Sequence, residues 1–544
     1  MNRGRGDGNR MHTKMNRICR ELTQIPESSR ALPLLLMFSA ILMGALFIVR
    51  WNADLNFDGE IYIAAARKYA AGMYREGLAI YPMPLYPYLI MLMHKIIPNW
   101  VLAGRLISYF SLTLTVIPLY LLSKDLFNRP AAFWGCIAFT LLPETLLHSN
   151  SVMRDPPFFL FATCAVYFAQ KALQSKRLMH LLGSALFAWV SILFRIESLI
   201  IFPAYFCFLI ALTISKSEQR KDYKRMMVAW GGLFACLIAA IYIGVESRGN
   251  NINRFDDWVI FFRGFRDLSF LENYHHVSAQ LQQMQDASLN SIVGKHFAEI
   301  ARQLMAFIYL LGILHMFSQV ILAVNIVPLL WGLSRGRYTE RHVFVLLVIC
   351  CLFVLTYGFF IRHDLLLTRY LFMPAVLLCP WIGFGIDRIL VFAQGCSHKE
   401  LIVACVLLLV FAAPALKFNH YFTNKDDLKS QAGSWIVKQE RLRNLKIIFS
   451  DPGVKFHADM EMSFSSGENL ILHGNPDDKN FSKISHVALE NKADAIAIYS
   501  RADRRKDIAD FEGYKEIKEF NDKKKFIKIY VSISRLPSLE NPAN

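Results

Sequence analysis

Apolar runs of about 16 to 22 residues recur along the 544-residue chain, parted by short charged segments, and that pattern leaves few folds open. A run of this length crosses the bilayer core as a helix, because a helix satisfies its own backbone in hydrocarbon. The pattern predicts spans at 32–49, 101–122, 130–147, 156–173, 179–194, 198–214, 227–245, 304–333, 343–361, 370–387 and 400–416, about eleven in all. The run 304–333 is too long for one straight span and is expected to begin as an interfacial segment. Ahead of the first run, Met1 to Arg30 carries Arg3, Arg5, Arg10, Lys14, Arg17, Arg20 and Arg30 and lacks the small-residue cleavage pattern of a secretory signal, so the first run reads as a retained helix.

The formal net charge of +17 would point to nucleic acid in a soluble chain. Here 54% of the residues are hydrophobic, mean hydropathy is +0.31, and the cations sit between apolar runs. Five basic linkers, Lys124–Arg129, Lys171–Arg177, Lys216–Arg225, Arg335–Arg341 and Arg388–Lys399, fall on one side when the N-terminus is cytoplasmic. The segments 50–100, 148–155, 195–197, 246–303, 362–369 and 418 onward then fall on the other. This distribution serves an anionic leaflet and argues against a nucleic-acid partner. Of the 10 Cys, most lie inside apolar runs (Cys136, Cys164, Cys207, Cys236, Cys350, Cys351, Cys379) without metal-site spacing, and read as small buried hydrophobes.

Between residues 50 and 100, Gly59 to Tyr74 has helical spacing, and Pro82, Pro84 and Pro87 break and restart the chain. Leu85 to Ile97 is too short to span, so this loop is expected to hold two interfacial helices. In the loop 246–303, "NINRFDDWVIFFRGF" has an aromatic face suited to an interface, and "SAQLQQMQDASLN" reads as a polar helix or a mobile cover. From Asn419 onward the composition is that of a soluble domain. "GSWIVKQERL" predicts a helix from near Ser434, and "NLKIIFS", "ADAIAIYS" and "KKFIKIYVSI" predict strands. The expected organisation is a basic tail at 1–31, a transmembrane domain at 32–417 and a small α/β lid or docking domain at 418–544. No GxGxxG or GxxxxGK loop is present in that last domain.

Chemistry-bearing residues collect on the side away from the basic linkers. Asp54, Asp58 and Glu60 follow the first run; a solvated loop is the plain alternative. "HSNSVMRDPPFFL" carries His148, Arg154 and Asp155, with Pro156 and Pro157 opening the next span, so Asp155 could simply cap that helix. Arg195 and Glu197 flank a very short turn and could pair locally or meet substrate. "FFIRHDLLLTRYLFMPAVL" carries Arg362, His363, Asp364 and Arg369, and the proline-aromatic stretch Tyr81 to Tyr88 completes the set. Arg369 could snorkel at the boundary or grip a lipid-linked phosphate in a fork. A carboxylate base for a hydroxyl acceptor, with guanidinium groups for a phosphate leaving group, fits transfer of a sugar from a lipid phosphate.

In order and topology, residues 30–420 resemble the GT-C superfamily of integral-membrane glycosyltransferases, in the branch of the protein O-mannosyltransferases and the lipid A aminoarabinose transferase. The resemblance rests on Asp58 in "FDGEIYIAAARKYAAG", on Pro84, Leu85, Tyr86 and Pro87, on Arg154 and Asp155, and on Arg369, Tyr370 and Pro374. It implies a polytopic α-helical GT-C fold with a soluble C-terminal tail. It also implies a polyprenyl- or dolichyl-phosphate sugar donor, inversion at the anomeric carbon, and a site on the periplasmic or lumenal face. Asp58 would be the base or orient the acceptor, with Glu60 beside it and Asp155 in support. Arg369, Arg154 and Tyr370 would bind donor phosphate. Tyr62, Tyr81, Tyr86, His148, Arg195, Glu197 and His363 are the further candidates for the cleft. A divalent metal ion on Asp58 and Asp155 is the only cofactor the resemblance raises. The first loop departs from the family, since Asn56, Phe57 and Gly59 flank Asp58 where several members place a charged partner.

Two other readings stay open. An oligosaccharide ligase or polymerase would take a diphosphate-linked donor, and Arg248, Arg254, Arg263 and Arg266 in the 246–303 loop suit it. A lipid or solute transporter would show inverted repeats and broken mid-membrane helices, which the sequence does not. The acceptor is a glycan, lipid or protein hydroxyl. The short loops and missing retention signal favour a bacterial inner membrane, with a monomeric enzyme among membrane lipids.

Overall fold

The computed structural model describes residues 25–49, 55–246, 271–287, 292–336 and 338–394, parts of 401–412, and 428–439, 446–450, 470–472, 492–501, 513–521 and 525–535, with a few single positions between. The helices are α1 (Ala31–Val49), α2 (Phe57–Ala70), α3 (Tyr74–Ile80), α4 (Leu85–His94), α5 (Trp100–Leu126), α6 (Arg129–Leu141), α7 (Pro143–Ser149), α8 (Asp155–Ser175), α9 (Leu178–Phe194), α10 (Ile201–Ser215) and α11 (Arg220–Glu246). There follow α12 (Glu272–Ala287), α13 (Ile292–Gln303), α14 (Met305–Ile321), α15 (Ile326–Arg335), α16 (Glu340–His363), α17 (Thr368–Gln394) and α18 (Leu428–Lys438). Two compact units result: Met1–Ile48 with Tyr74–Tyr421, and Val49–Met73 with Phe422–Asn544.

Local chemistry sets the helix ends of the first unit. The Asn99 side chain accepts from Leu102 N at 2.9 Å to start α5, and Asn128 accepts from Ala131 N at 2.7 Å to start α6, where Pro130 loses nothing by lacking a donor. Thr339 and His342 close a reciprocal cap at the start of α16. The apolar runs of the sequence form helices close to where the pattern puts them, but the span count differs. Among the described residues, which include only parts of the expected span 400–416, five segments are long and apolar enough to cross a bilayer alone: Ala31–Val49, Trp100–Leu126, Ile196–Ser215, Glu340–His363 and Thr368–Gln394. Two bent pairs, Arg129–Leu141 with Pro143–Ser149 (60°) and His296–Gln303 with Met305–Ile321 (71°), raise the number to seven. By length and hydropathy this is fewer than the eleven expected. The single long run at 304–333 is divided: α14 ends at Ile321, and Leu322, with φ 63°, follows it before α15 begins.

Polar bonds draw four of the basic linkers together at one end of the bundle and reach the edge of the fifth. Lys171 pairs with Asp125 at 2.8 Å, and Arg341 donates to the Asp125 carbonyl at 2.8 Å. Lys216 pairs with Glu340 at 3.4 Å, and Tyr223, which also meets Lys176, donates to Glu340 at 2.7 Å. Asn128 donates to Asp387, one residue before the fifth linker, at 3.3 Å. Segments far apart in sequence thus share one polar end, as the charge pattern requires if they face one leaflet.

α17 passes between α6 and α15 at glycines. A methyl on Gly383 would lie 2.1 Å from the Ala131 carbonyl oxygen, and one on Gly385 would lie 1.8 Å from that of Pro328. Such close backbone approach is how helices pack without a hydrophobic driving force in lipid. Gly383→Ala should therefore push α17 off α6 and cost about 1–3 kcal/mol or more. Thermal unfolding in detergent should show a clear fall in midpoint; an unchanged midpoint would mean the helices separate at no cost.

In the second unit the sheet order is β2-β1-β3-β5-β4, for β1 (Ile447–Phe449), β2 (Leu470–Leu472), β3 (Ala495–Arg501), β4 (Tyr514–Asn521) and β5 (Lys525–Ser532). β1 runs parallel to β2 and β3, while β5 is antiparallel to β3 and β4. Alternation puts Phe449, Ala497 and Ile529 on one face with Ala432 and Ile436 of α18, and Ile448, Ile496 and Tyr530 on the other. The three strands expected from sequence are all present, α18 begins earlier than Ser434, and the edge strands β2 and β4 are additional. The loop 50–100 holds three helices, α2, α3 and α4, where two were expected.

Candidate active site

At the end of the bundle opposite the linker network, three chain segments meet around Asp155. It is the first residue of α8, and the cap position is held by Arg154, whose side chain makes no cap bond. The capping reading therefore gives way to another. Asp155 is buried, and its carboxylate accepts from Arg195 Nη1. Arg195 follows α9, is 4% exposed, and donates through Nε to Glu197 at 3.1 Å and again through Nη2. The local Arg195–Glu197 pair is thus one half of a clamp that also reaches 40 residues back along the chain.

Two further guanidinium groups face this clamp. Arg154 lies 5.6 Å from the centroid of the buried Tyr81 ring and 2.9 Å from Met83 Sδ. Arg369 lies 5.5 Å from the Tyr370 ring, and Arg195 lies 5.1 Å from the same ring. A snorkelling side chain would point to the boundary; Arg369 is half-buried and acts electrostatically on Asp155. Burial alone would raise the Asp155 carboxyl. Arg195, with help from His148, Arg154 and Arg369, outweighs burial and holds the carboxyl below its usual value. Burial likewise opposes the charge on Arg195, and Asp155 and Glu197 more than restore it.

The surrounding frame is rigid. Tyr86 of α4 is buried, and its hydroxyl donates to the Gly104 carbonyl at 3.2 Å beside Ser108 Oγ at 3.3 Å; Ser108 in turn donates to the Met153 carbonyl at 3.2 Å. The Tyr86 hydroxyl is thereby spent on fixing the loop ahead of Asp155. His148 of α7 is buried near Phe159 and Phe372, with Nε2 3.2 Å from Glu144. Glu144 was not singled out from sequence, although its i, i+4 spacing to His148 on one short helix was the available signal. His363 is exposed on the rim, its ring 4.5 Å from Phe359, which lies 4.8 Å from Tyr370. Asp364 is bonded by Tyr309 and Asn273, so α12 is fastened to the end of α16; sequence reading gave no sign of that bond.

The first-loop carboxylates belong to the second unit. Asp58 and Glu60 sit in the first turn of α2, where the helix dipole favours negative charge. Glu60 and Tyr62 are buried, and Asp58 is half-buried. Asp54, and the arginines of the 246–303 loop from Arg248 to Arg266, lie outside the described residues. Among the described residues no three His, Cys, Asp or Glu side chains converge as a metal site. Asp155 is moreover committed to a guanidinium, with two others acting on it. Asp155, held in this way, is a poor ligand for a divalent cation.

Residues 81–244 match the family described as dolichyl-phosphate-mannose-protein mannosyltransferase. No curated protein is similar enough in sequence to count as a match. Among solved structures, the chain is similar to the archaeal oligosaccharyltransferase AglB from Archaeoglobus fulgidus in complex with an inhibitory peptide and a dolichol-phosphate, at 11% identity and a TM-score of 0.54, covering 94% of this chain and 75% of that one. It is similar also to ArnT from Cupriavidus metallidurans bound to undecaprenyl phosphate, at 11% identity and a TM-score of 0.54, covering 92% of this chain and 98% of that one. At this identity the likenesses speak for the fold, which the chain shares with those two membrane proteins. The family match covers residues 81–244 only, and over most of its length the chain shares the fold of AglB and ArnT.

Proposed function

We propose that this protein moves a sugar from a polyprenyl monophosphate to a hydroxyl acceptor on the periplasmic face of a bacterial inner membrane, with inversion. The observation that carries the reading is the buried cluster in which Arg154, Arg195 and Arg369 all act on Asp155, at the end of the bundle away from the basic linkers. Positive-inside topology makes the linker end cytoplasmic, and puts the cluster, the first-loop carboxylates and the C-terminal domain outside. Resemblance of fold to AglB and ArnT, whose structures carry dolichol-phosphate and undecaprenyl phosphate, supports the donor class.

Asp58 removes the acceptor proton as the acceptor oxygen attacks the anomeric carbon. The bond from that carbon to the phosphate oxygen breaks, and polyprenyl monophosphate leaves with the electron pair. Arg369, backed by Arg154, takes up the charge that develops on the leaving oxygen. Asp155, held ionised by Arg195, is a poor proton acceptor and serves to aim the guanidinium groups. Glu197 does the same from the other side of Arg195.

Mass spectrometry of lipids that copurify in mild detergent, followed by incubation with polyprenyl-phosphate sugars, tests this directly. A polyprenyl monophosphate sugar should be bound or consumed, and Arg369→Ala should weaken its binding about 10- to 100-fold through loss of a charge-assisted fork. Consumption of a diphosphate-linked oligosaccharide instead would assign the ligase reaction. Absence of any lipid donor, with no turnover, would overturn the transferase reading.

A further inference from the structure

The helix α13 is built to meet a surface. Phe297, Ile300 and Leu304 fall on one face at helical spacing and are 69, 55 and 48% exposed, while Glu299 and Arg302 lie on the opposite face and His296 reaches Glu299 at 3.8 Å. Three large apolar side chains in water on one short helix would be costly, and among the described residues they stay exposed.

Its setting names the occupant. The segment His296–Gln303 bends by 71° from Met305–Ile321, so that if α14 runs along the bilayer normal, α13 runs close to the bilayer plane. Leu304 at the bend continues the apolar face of α13 into the exposed Phe307, Ile308 and Leu311 of α14, the side on which a spanning helix meets lipid. The level is set by the Tyr309–Asp364 bond, which places the start of α14 beside the end of α16, five residues before Arg369. On its inner side the helix hairpin is held by α12, whose Tyr274, Val277 and Leu281 pack on Met305, Tyr309 and Ile361.

We propose that the apolar face of α13 is a membrane-binding surface, seated in the boundary between headgroups and acyl chains of the leaflet on the Asp155 side. It thereby anchors α12 at the end of the bundle from which a lipid-linked substrate would be approached. This assignment rests on the membrane-spanning fold and is independent of which donor the enzyme takes. A helix of this pattern buries its apolar face a few ångströms into that boundary while its charged face stays wet.

The test is photocrosslinking in lipid nanodiscs of the full-length protein. Replacing Phe297, or in a second variant Ile300, by p-benzoylphenylalanine should yield phospholipid adducts on illumination. Yields should match those from position 308 on α14 and exceed those from position 299 by about tenfold. Protein adducts in place of lipid adducts at both 297 and 300 would mean that another part of the chain or a second copy covers the face. Yields no higher than at 299 would mean that it faces water. Either result would overturn the proposal, whatever the outcome of the donor experiment.

Discussion

Asp58→Asn should leave the protein folded and lower sugar transfer by about 10²- to 10⁴-fold, the usual worth of a positioned general base. The change keeps size and hydrogen-bonding capacity and removes only the ability to take a proton. Glu60 is two residues away on α2, so the two carboxylates point to different sides of the helix; Glu60 is buried where Asp58 is half-buried. An incoming hydroxyl therefore reaches Asp58 more readily. Donor binding, measured as retention of the polyprenyl phosphate, should be little changed, because the proton is lost only as the new bond forms. If Asp58→Asn turned over at near the normal rate while Glu60→Gln did not, the base would be Glu60 and the loop would present its other side to the acceptor.

The parts of the fold that a repeating chemical constraint dictates were legible in the sequence. Bilayer thickness sets the run length, and the charge bias of loops sets their side. Hence charge alone groups the linkers at Lys124, Lys171, Lys216 and Arg341 on one side, and contacts join them there. β3 and β5 were plain from their Ile-rich alternation, whereas β4, "YKEIKEFN", carries the charges that an edge strand uses to avoid pairing, and so reads as a loop. Asp155, Arg195 and Glu197 could be named as candidates, but not joined. The 40-residue return from α8 to the end of α9 is a matter of helix packing, which no local pattern encodes. For the same reason Asp155 could be mistaken for a cap: Asp before Pro-Pro at a helix start is the ordinary capping sequence, and only the position of Arg195 reveals that the carboxylate has other work.

That clamp sets the second large effect. Arg195→Met should destabilise the protein by about 3–5 kcal/mol, since it strands the buried Asp155 carboxylate without its main partner. The methionine fills part of the volume but offers no donor. The variant's relief is to protonate Asp155, which removes the charge and with it the hold on that end of α8. In the native protein the folded carboxyl titrates below its unfolded value, so the pair's contribution is full above the ordinary carboxylate value of about 3.9 and is lost as pH falls through the lower folded value. The gap in thermal midpoint between wild type and variant should be wide at neutral pH and close in strong acid. Arg195→Lys keeps a charge but not the fork that spans Asp155 and Glu197, and should fall between the two. Arg195 also lies over the Tyr370 ring that Arg369 shares, so loosening the clamp should raise the donor KM more than it lowers kcat. A variant that lost stability with donor KM unchanged would confine Arg195 to holding α8 and α9 together. One that lost neither would show that the Asp155 carboxylate has another partner strong enough to replace it.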